Sequence, residues 1–331
     1  MWASEKMLRH ITVTPLAAES LGARSMCTLV ETSYVKVLLD GGVSLGPYRF
    51  GFPPHPREYK ALGECRKRIA EAAEKADVVT ISHYHFDHHT PSYTDWFLHW
   101  SSEEASRQIY EGKLVLAKSY RDKVNFSQRH RGWVFSNTGG KYAERFEFAD
   151  NRLFDFGDTS VRFSEPVYHG EGESDLGWLV MATIEHEDER VLFASDVQGP
   201  MYTPTVEIIL KQKPDLLIIG GPPTYLSGLV EPEHIEKGLR NLERLVQNVS
   251  EVILEHHLLR DENWRALSQT IFETAAKAGH KVLSAAEFLG VKNSLLESQR
   301  KVLFETDPPV KEFKKWMRMP SAKKKLVKPP V

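Results

Sequence analysis

The stretch Ser82-His83-Tyr84-His85-Phe86-Asp87-His88-His89 stands directly behind the apolar run Asp77-Val78-Val79-Thr80-Ile81. No other feature of this chain constrains its fold as much. The run is short, β-branched and continuous, which predicts a buried strand. A buried strand that opens into four imidazoles and a carboxylate delivers them to a site, not to a core; a tract of surface histidines would need no such strand. His83 and His85 are two residues apart, so in extended chain both rings point the same way and can reach one metal. Asp87 and His88 follow where the chain must turn, within reach of a second metal close by. Imidazole and carboxylate together suit zinc.

The rest of the chain supplies a frame for that strand. Residues 11–40 read as β, with Cys27-Thr28-Leu29-Val30 and Tyr34-Val35-Lys36-Val37-Leu38-Leu39-Asp40 joined by a turn at Glu31-Thr32-Ser33. Gly41-Gly42 and a Gly- and Pro-rich loop follow, then a charged amphipathic helix over residues 57–76. Residues 90–150 are aromatic, with Trp96, Phe97, Trp100, Phe126, Trp133 and Phe135, and predict mixed helix and loop around a strand at residues 114–117. Hairpins are expected at 153–169 and 177–194. Beyond Asp196, apolar strands at 215–219, 251–254 and 281–283 alternate with helices at 233–247 and 262–278. A β block, α, β and α again predicts an α/β (α+β) sandwich with helices outside two packed sheets.

Composition excludes little but bounds the setting. Of 331 residues, 41% are hydrophobic and 27% charged, and the formal net charge is -2, so no global field selects nucleic acid or membrane. The two cysteines, Cys27 and Cys65, form no CxxC motif and read as free thiols. Residues 1–10 are too polar for a signal peptide, and no apolar run approaches the roughly 20 residues a bilayer requires. A cytoplasmic protein with no membrane partner is expected. From Asp307 on the chain is rich in proline and lysine, which predicts a solvated basic extension over 292–331 behind a domain at 8–291.

Several further motifs stand in a fixed order around the histidine cluster: Leu38-Leu39-Asp40-Gly41-Gly42, Val167-Tyr168-His169-Gly170, Leu192-Phe193-Ala194-Ser195-Asp196 and Ile253-Leu254-Glu255-His256-His257. With Ser82-His83-x-His85-x-Asp87-His88 they resemble the metallo-β-lactamase superfamily over residues 10–290. The resemblance is closest to a mostly archaeal branch of predicted metal-dependent hydrolases. It implies the four-layer αββα sandwich. It further implies a first metal on His83, His85 and His169, a second on Asp87, His88 and His256 (His257 being the alternative), Asp196 bridging both, and Asp40 orienting a ligand. His256 is preferred because Arg260 stands four residues beyond it, as in relatives, and because strand parity lets only one of the adjacent histidines face the site. His89 is expected as a neighbour or substrate contact, and His10, His55, His99, His130, His186, His234 and His280 in surface or core roles. His89-Thr90-Pro91 replaces the glycine-rich turn of many relatives, which weakens transfer from the lactamases and glyoxalases.

The implied chemistry is hydrolysis assisted by two Zn2+ per chain, with Mn2+ or Fe2+ as alternatives. Paired cations bring the pKa of a water toward ~7 and polarise the substrate oxygen. Asp87, Asp40 and His256 are the expected catalytic group, acting on a phosphodiester, lactone or other cyclic ester. A reading from another class is a nucleic-acid-binding protein or nuclease that grips phosphates with Lys311, Lys314, Lys315, Arg318 and 323–325 and stacks a base on Trp316.

Overall fold

The computed structural model describes residues 8–172, 175–226 and 228–331. Residues 1–7, most of the polar N-terminus, lie outside. The first six strands form one sheet in sequence order: β1 (Thr12–Pro15), β2 (Thr28–Glu31), β3 (Lys36–Leu39), β4 (Val78–Ile81), β5 (Leu114–Ala117) and β6 (Arg145–Phe148). The pairs β1–β2 and β2–β3 are antiparallel, and β3 through β6 run parallel. The second large sheet has the order β15-β14-β13-β12-β11-β8-β7. Its members are β7 (Leu153–Phe156), β8 (Thr159–Phe163), β11 (Ala182–His186), β12 (Glu189–Ser195), β13 (Leu216–Gly220), β14 (Glu251–Glu255) and β15 (Lys281–Leu283). Between β8 and β11, β9 (Val167–Tyr168) and β10 (Trp178–Leu179) make a two-stranded ribbon.

Alternation along the strands sorts the core into three layers. Val37, Leu39, Val78 and Leu116 of the first sheet meet Val161, Ile184, Phe193 and Ile218 of the second. Leu38, Val79 and Val115 face outward onto α1 (Pro56–Lys75), α2 (Glu103–Tyr110) and α3 (Phe126–Asn137). Leu192, Leu217 and Val252 face α4 (Thr203–Gln212), α5 (Pro232–Asn248), α6 (Trp264–Leu267) and α7 (Gln269–Ala278). The result is the expected αββα order. The single helix expected over 262–278 is two, broken at Ser268. β6 and the bounds of the helix at residues 126–137 were not legible in the sequence. Among the described residues no helix is long and apolar enough to cross a membrane.

The C-terminal segment corrects the expectation of a solvated extension. After α8 (Ala285–Phe288), α9 (Arg300–Thr306), α10 (Lys311–Met317) and α11 (Ser321–Leu326) lie against the first helical layer. Arg300 is wholly buried, with Nε and Nη2 donating to Glu58 at 2.8 and 2.6 Å and Nη2 donating to the Gly46 carbonyl. Phe313 and Trp316 pack on Tyr59, and the Trp316 indole N–H donates to the Val327 carbonyl. Trp316 is 2% exposed. It is core, and no base can stack on it.

Candidate metal centre

Four strands stop at the same rim. β3 leads into Asp40, β4 into Ser82 and His83, β12 into Asp196 and β14 into His256, all at carboxyl ends within parallel pairings, where open α/β sheets place their ligand clefts. Three of these exits turn through left-handed backbone: Asp40 at φ 49°, Ser195 at 55° and His256 at 66°. The glycine turn behind Asp40 has a steric cause. A Cβ on Gly42 would stand 2.3 Å from the His89 backbone nitrogen and 2.7 Å from that of His88, so only glycine lets the histidine loop lie against it.

His83, His85, His169 and Asp196 form one group of donors that could hold a metal ion. His83 Nε2 lies 3.1 Å from His85 Nδ1, which lies 3.2 Å from His169 Nε2, and that nitrogen is 3.1 Å from Asp196 Oδ2. β4 stops at Ile81, so the extended-strand argument for His83 and His85 does not hold. The two rings converge from a bend, one through Nε2 and the other through Nδ1.

Asp87, His88 and His256 form a second group. His256 Nε2 is its centre, 3.4 Å from His88 Nε2, 3.6 Å from Asp87 Oδ2 and 3.1 Å from Asp196 Oδ2. The parity argument that separated His256 from His257 fails. The left-handed turn at His256 ends the strand and starts a 3-10 turn over His256–Arg260, so His257 Nε2 also comes within 3.2 Å of Asp196 Oδ2. The two rings differ in surroundings. His256 is buried and its Nδ1 lies 3.1 Å from Glu19 Oε2. His257 borders the open cleft, and its Nδ1 lies 3.1 Å from the Tyr225 hydroxyl and 3.2 Å from Arg260 Nη1.

Asp40 ties the centre together. Its Oδ1 accepts the Ser82 backbone N–H at 2.7 Å, and its Oδ2 lies 2.8 Å from His88 Nδ1 and accepts both the Ser82 and Ser195 hydroxyls. With the Nδ1 proton given to Asp40, His88 presents a bare Nε2, the tautomer a metal ligand needs. His169 Nδ1 faces the Gln198 amide at 3.2 Å. The Gln198 amide oxygen is otherwise unbonded, and rotated onto Nδ1–H it would fix the same tautomer on His169.

The electrostatics suit a cation. Burial, then the neighbouring rings, hold His83 and His85 well below the ordinary histidine range, so they are neutral. Burial opposes ionisation of Asp196 and Asp87, but the surrounding histidines outweigh it and keep both carboxyls below their usual range. Burial alone would lower His256, yet Glu19 and Asp196 raise it to about 10. A divalent cation would displace that proton. Burial takes His257 down to about 4. Asp196 Oδ1 is buried without a hydrogen-bond partner among the described residues, which metal coordination would resolve. Donors around a tetrahedral cation with bonds of about 2.1 Å stand about 3.4 Å apart, as the donors do here.

All the expected ligands thus converge. His89 stands beside them, its Nδ1 2.9 Å from the His85 carbonyl and its ring against Phe135 and Tyr84. His99, expected in a surface or core role, borders the cleft. Glu19, Tyr225 and Gln198 carried no signal in the sequence; Glu19 lies 241 residues from Arg260, whose Nε donates to it at 2.7 Å. The cleft above the donors measures about 720 Å³.

No family model matches the chain. A UPF0282 protein of Methanopyrus kandleri is 44% identical over 289 residues, covering 87% of this chain and 97% of that protein. A UPF0282 protein of Thermococcus gammatolerans is 44% identical over 296 residues, covering 89% and 95%. Among solved structures, the metallo-β-lactamase fold protein YhfI from Bacillus subtilis aligns with a TM-score of 0.46 at 14% identity, covering 83% of this chain and 96% of that one.

Proposed function

The chain belongs to the UPF0282 family and has the metallo-β-lactamase fold, and we propose that it is a metal-dependent hydrolase with a dinuclear, zinc-loaded centre that cleaves an ester, in the phosphodiester or cyclic-ester class. The observation that carries this reading is the convergence of imidazoles and carboxylates in two adjacent groups of donors, with Asp196 in the first and its Oδ2 3.1 Å from His256 Nε2 of the second. His83, His85 and His169 would hold the first cation and Asp87, His88 and His256 the second, with Asp196 beside both groups. When bound, two such cations make a water acidic near neutral pH and polarise the substrate's oxygen.

The chain's own residues do the rest. The Asp40 carboxylate accepts the Nδ1–H of His88, and the Glu19 carboxylate that of His256, so each ring would present Nε2 to the centre. His257 works differently. Arg260 Nη1 donates to its Nδ1, which leaves its proton on Nε2, beside Asp196 and at the cleft. From there it donates a hydrogen bond to the reacting group and steadies the charge that develops on its oxygen. Arg260, held by Glu19, keeps that tautomer fixed. A cytoplasmic location accompanies this reading.

Elemental analysis of protein prepared without chelator should give close to two metals per chain. His256→Ala should lose about half of that metal. His257→Ala should keep it and lose turnover on a panel of phosphodiester, lactone and thioester substrates. Asp40→Asn should lower metal affinity or turnover by roughly 10- to 100-fold. A reconstituted chain that binds no transition metal tightly sinks the reading.

A further inference from the structure

α3 presents an unusual face. Phe126, Arg129, His130 and Trp133 follow the i, i+3, i+4, i+7 spacing that normally marks a core-facing stripe, yet all four are exposed, Phe126 at 87% and Trp133 at 54%. Tyr120 and Arg121 from the preceding loop complete a shallow hollow of about 360 Å³ with them. Large rings left in water beside cations mark a binding surface.

The charge around those rings has one sign. Residues 119–133 carry Arg121, Lys123, Arg129 and Arg131 against a single acid, Asp122. Each of the other cationic groups of the cleft has an acidic partner close by: Arg24 is bound by Glu297 and Arg260 by Glu19. None of the four cations on or before α3 forms an ion pair among the described residues. A protein contact would pair such cations with its own acids, whereas a run of phosphates supplies the missing charge along the whole face.

The face also leads to the metal centre. His130 lines both the exposed hollow and a neighbouring apolar hollow of about 330 Å³. Phe86 and Arg131 line that second hollow and the cleft above Asp87 and Asp196. Arg131 stands 4.7 Å over the Phe86 ring, so the junction between hollows is itself a ring capped by a cation. The three hollows, joined by shared residues, run from the exposed face of α3 to the cleft over the donors. That suits an extended polymer of several units better than one compact small molecule.

We infer that single-stranded nucleic acid docks along α3, with bases stacked on Phe126 and Trp133, phosphates held by Arg121, Arg129 and Arg131, and one phosphodiester led into the metal cleft. Stacking on rings beside a basic groove is how proteins bind single strands without reading sequence. The inference rests on the hydrolase reading for its chemistry: water adds to phosphorus, the ester P–O bond breaks, and the leaving oxygen takes a proton, giving a phosphomonoester and an alcohol. The docking itself does not depend on that step.

The test is fluorescence anisotropy with a labelled 12-nucleotide single-stranded RNA and its DNA counterpart, using the full chain with probe integrity checked on a gel. Trp133→Ala and Phe126→Ala should each weaken binding roughly 5- to 150-fold, with unchanged metal content and thermal unfolding showing that the fold is intact. The double variant Arg121→Gln/Arg129→Gln should reduce the slope of log affinity against log salt by about 1.4. Absence of binding at low salt overturns the inference, as does binding indifferent to loss of either ring. A dimer that Trp133→Ala dissolves also overturns it, since the face would then join two copies. Metal content and turnover of small esters test the hydrolase reading separately. Turnover without oligonucleotide binding sinks only the docking, and binding without any turnover sinks only the hydrolase.

Discussion

The C-terminal segment and α3 are built from the same materials, rings and cations, and the fold treats them in opposite ways. Around α10, Phe313 and Trp316 are buried against Tyr59 while the lysines fringe them in solvent. Along α3, Phe126 and Trp133 are in solvent and the buried positions fall to Gln128, Gly132 and Phe135. Composition cannot distinguish the two. What differs is what lies opposite: the rings of α10 meet Tyr59 of α1, whereas Phe126 and Trp133 of α3 stay largely in solvent. A basic, aromatic stretch is therefore a ligand-facing surface only where its rings lack a protein partner.

The sharpest way to break this contrast is one substitution made twice. Trp316→Ala should cost about 3–5 kcal/mol of unfolding free energy, because it opens a cavity. Trp133→Ala should stay within about 0.5 kcal/mol. Urea unfolding of both decides it, and equal losses would show that the α3 ring is covered by protein in solution.

A second, smaller effect concerns Arg300. Arg300→Met strips Glu58 of its buried partner and should cost about 3 kcal/mol. Burial already outweighs Arg300 and lifts Glu58 above the ordinary carboxyl range, so the orphaned acid would take a proton, which limits the cost. Arg129→Met on α3 should stay within about 0.5 kcal/mol in the same measurement.

Acid should also separate the regions. Burial would raise Glu297, but its bidentate contact with Arg24 prevails and holds the carboxyl below its usual range. A depressed folded-state value stabilises the fold above the unfolded value, about 4.3, and that stability is lost as pH falls through the folded one. Arg24→Gln should therefore lower stability at pH 6 by about 1–2 kcal/mol and leave a shallower decline toward pH 3. The cations of α3, with no carboxylate partner among the described residues, should give no such difference when replaced.

The smallest effect sharpens the comparison from the other side. Lys314→Gln/Lys315→Gln removes two charges from the C-terminal segment, as Arg121→Gln/Arg129→Gln does from α3. Only the α3 pair should change the salt slope of oligonucleotide binding. A matching change in both would return the basic segment to the role first expected of it.

What the sequence disclosed and what it hid follow from the range of the forces involved. β4 and its histidines were legible because a continuous apolar run and a burst of metal-type ligands are local patterns. The αββα order followed from the sequence of such runs. The burial of Arg300 was not legible, because its partner Glu58 is 242 residues away. The same holds for Glu19 on His256. The parity argument for His256 over His257 failed for a local reason: it assumes extended chain, and one left-handed residue cancels it.

That backbone conformation has a consequence of another kind. Asp40, Ser195 and His256 occupy a region that side chains disfavour, at a cost of about 1 kcal/mol or more each. Glycine would adopt it freely, but at Ser195 and His256 it would leave a buried cavity and strip Asp40 and Glu19 of a partner. The backbone thus stays bent at the strand ends because the side chains there hold one another.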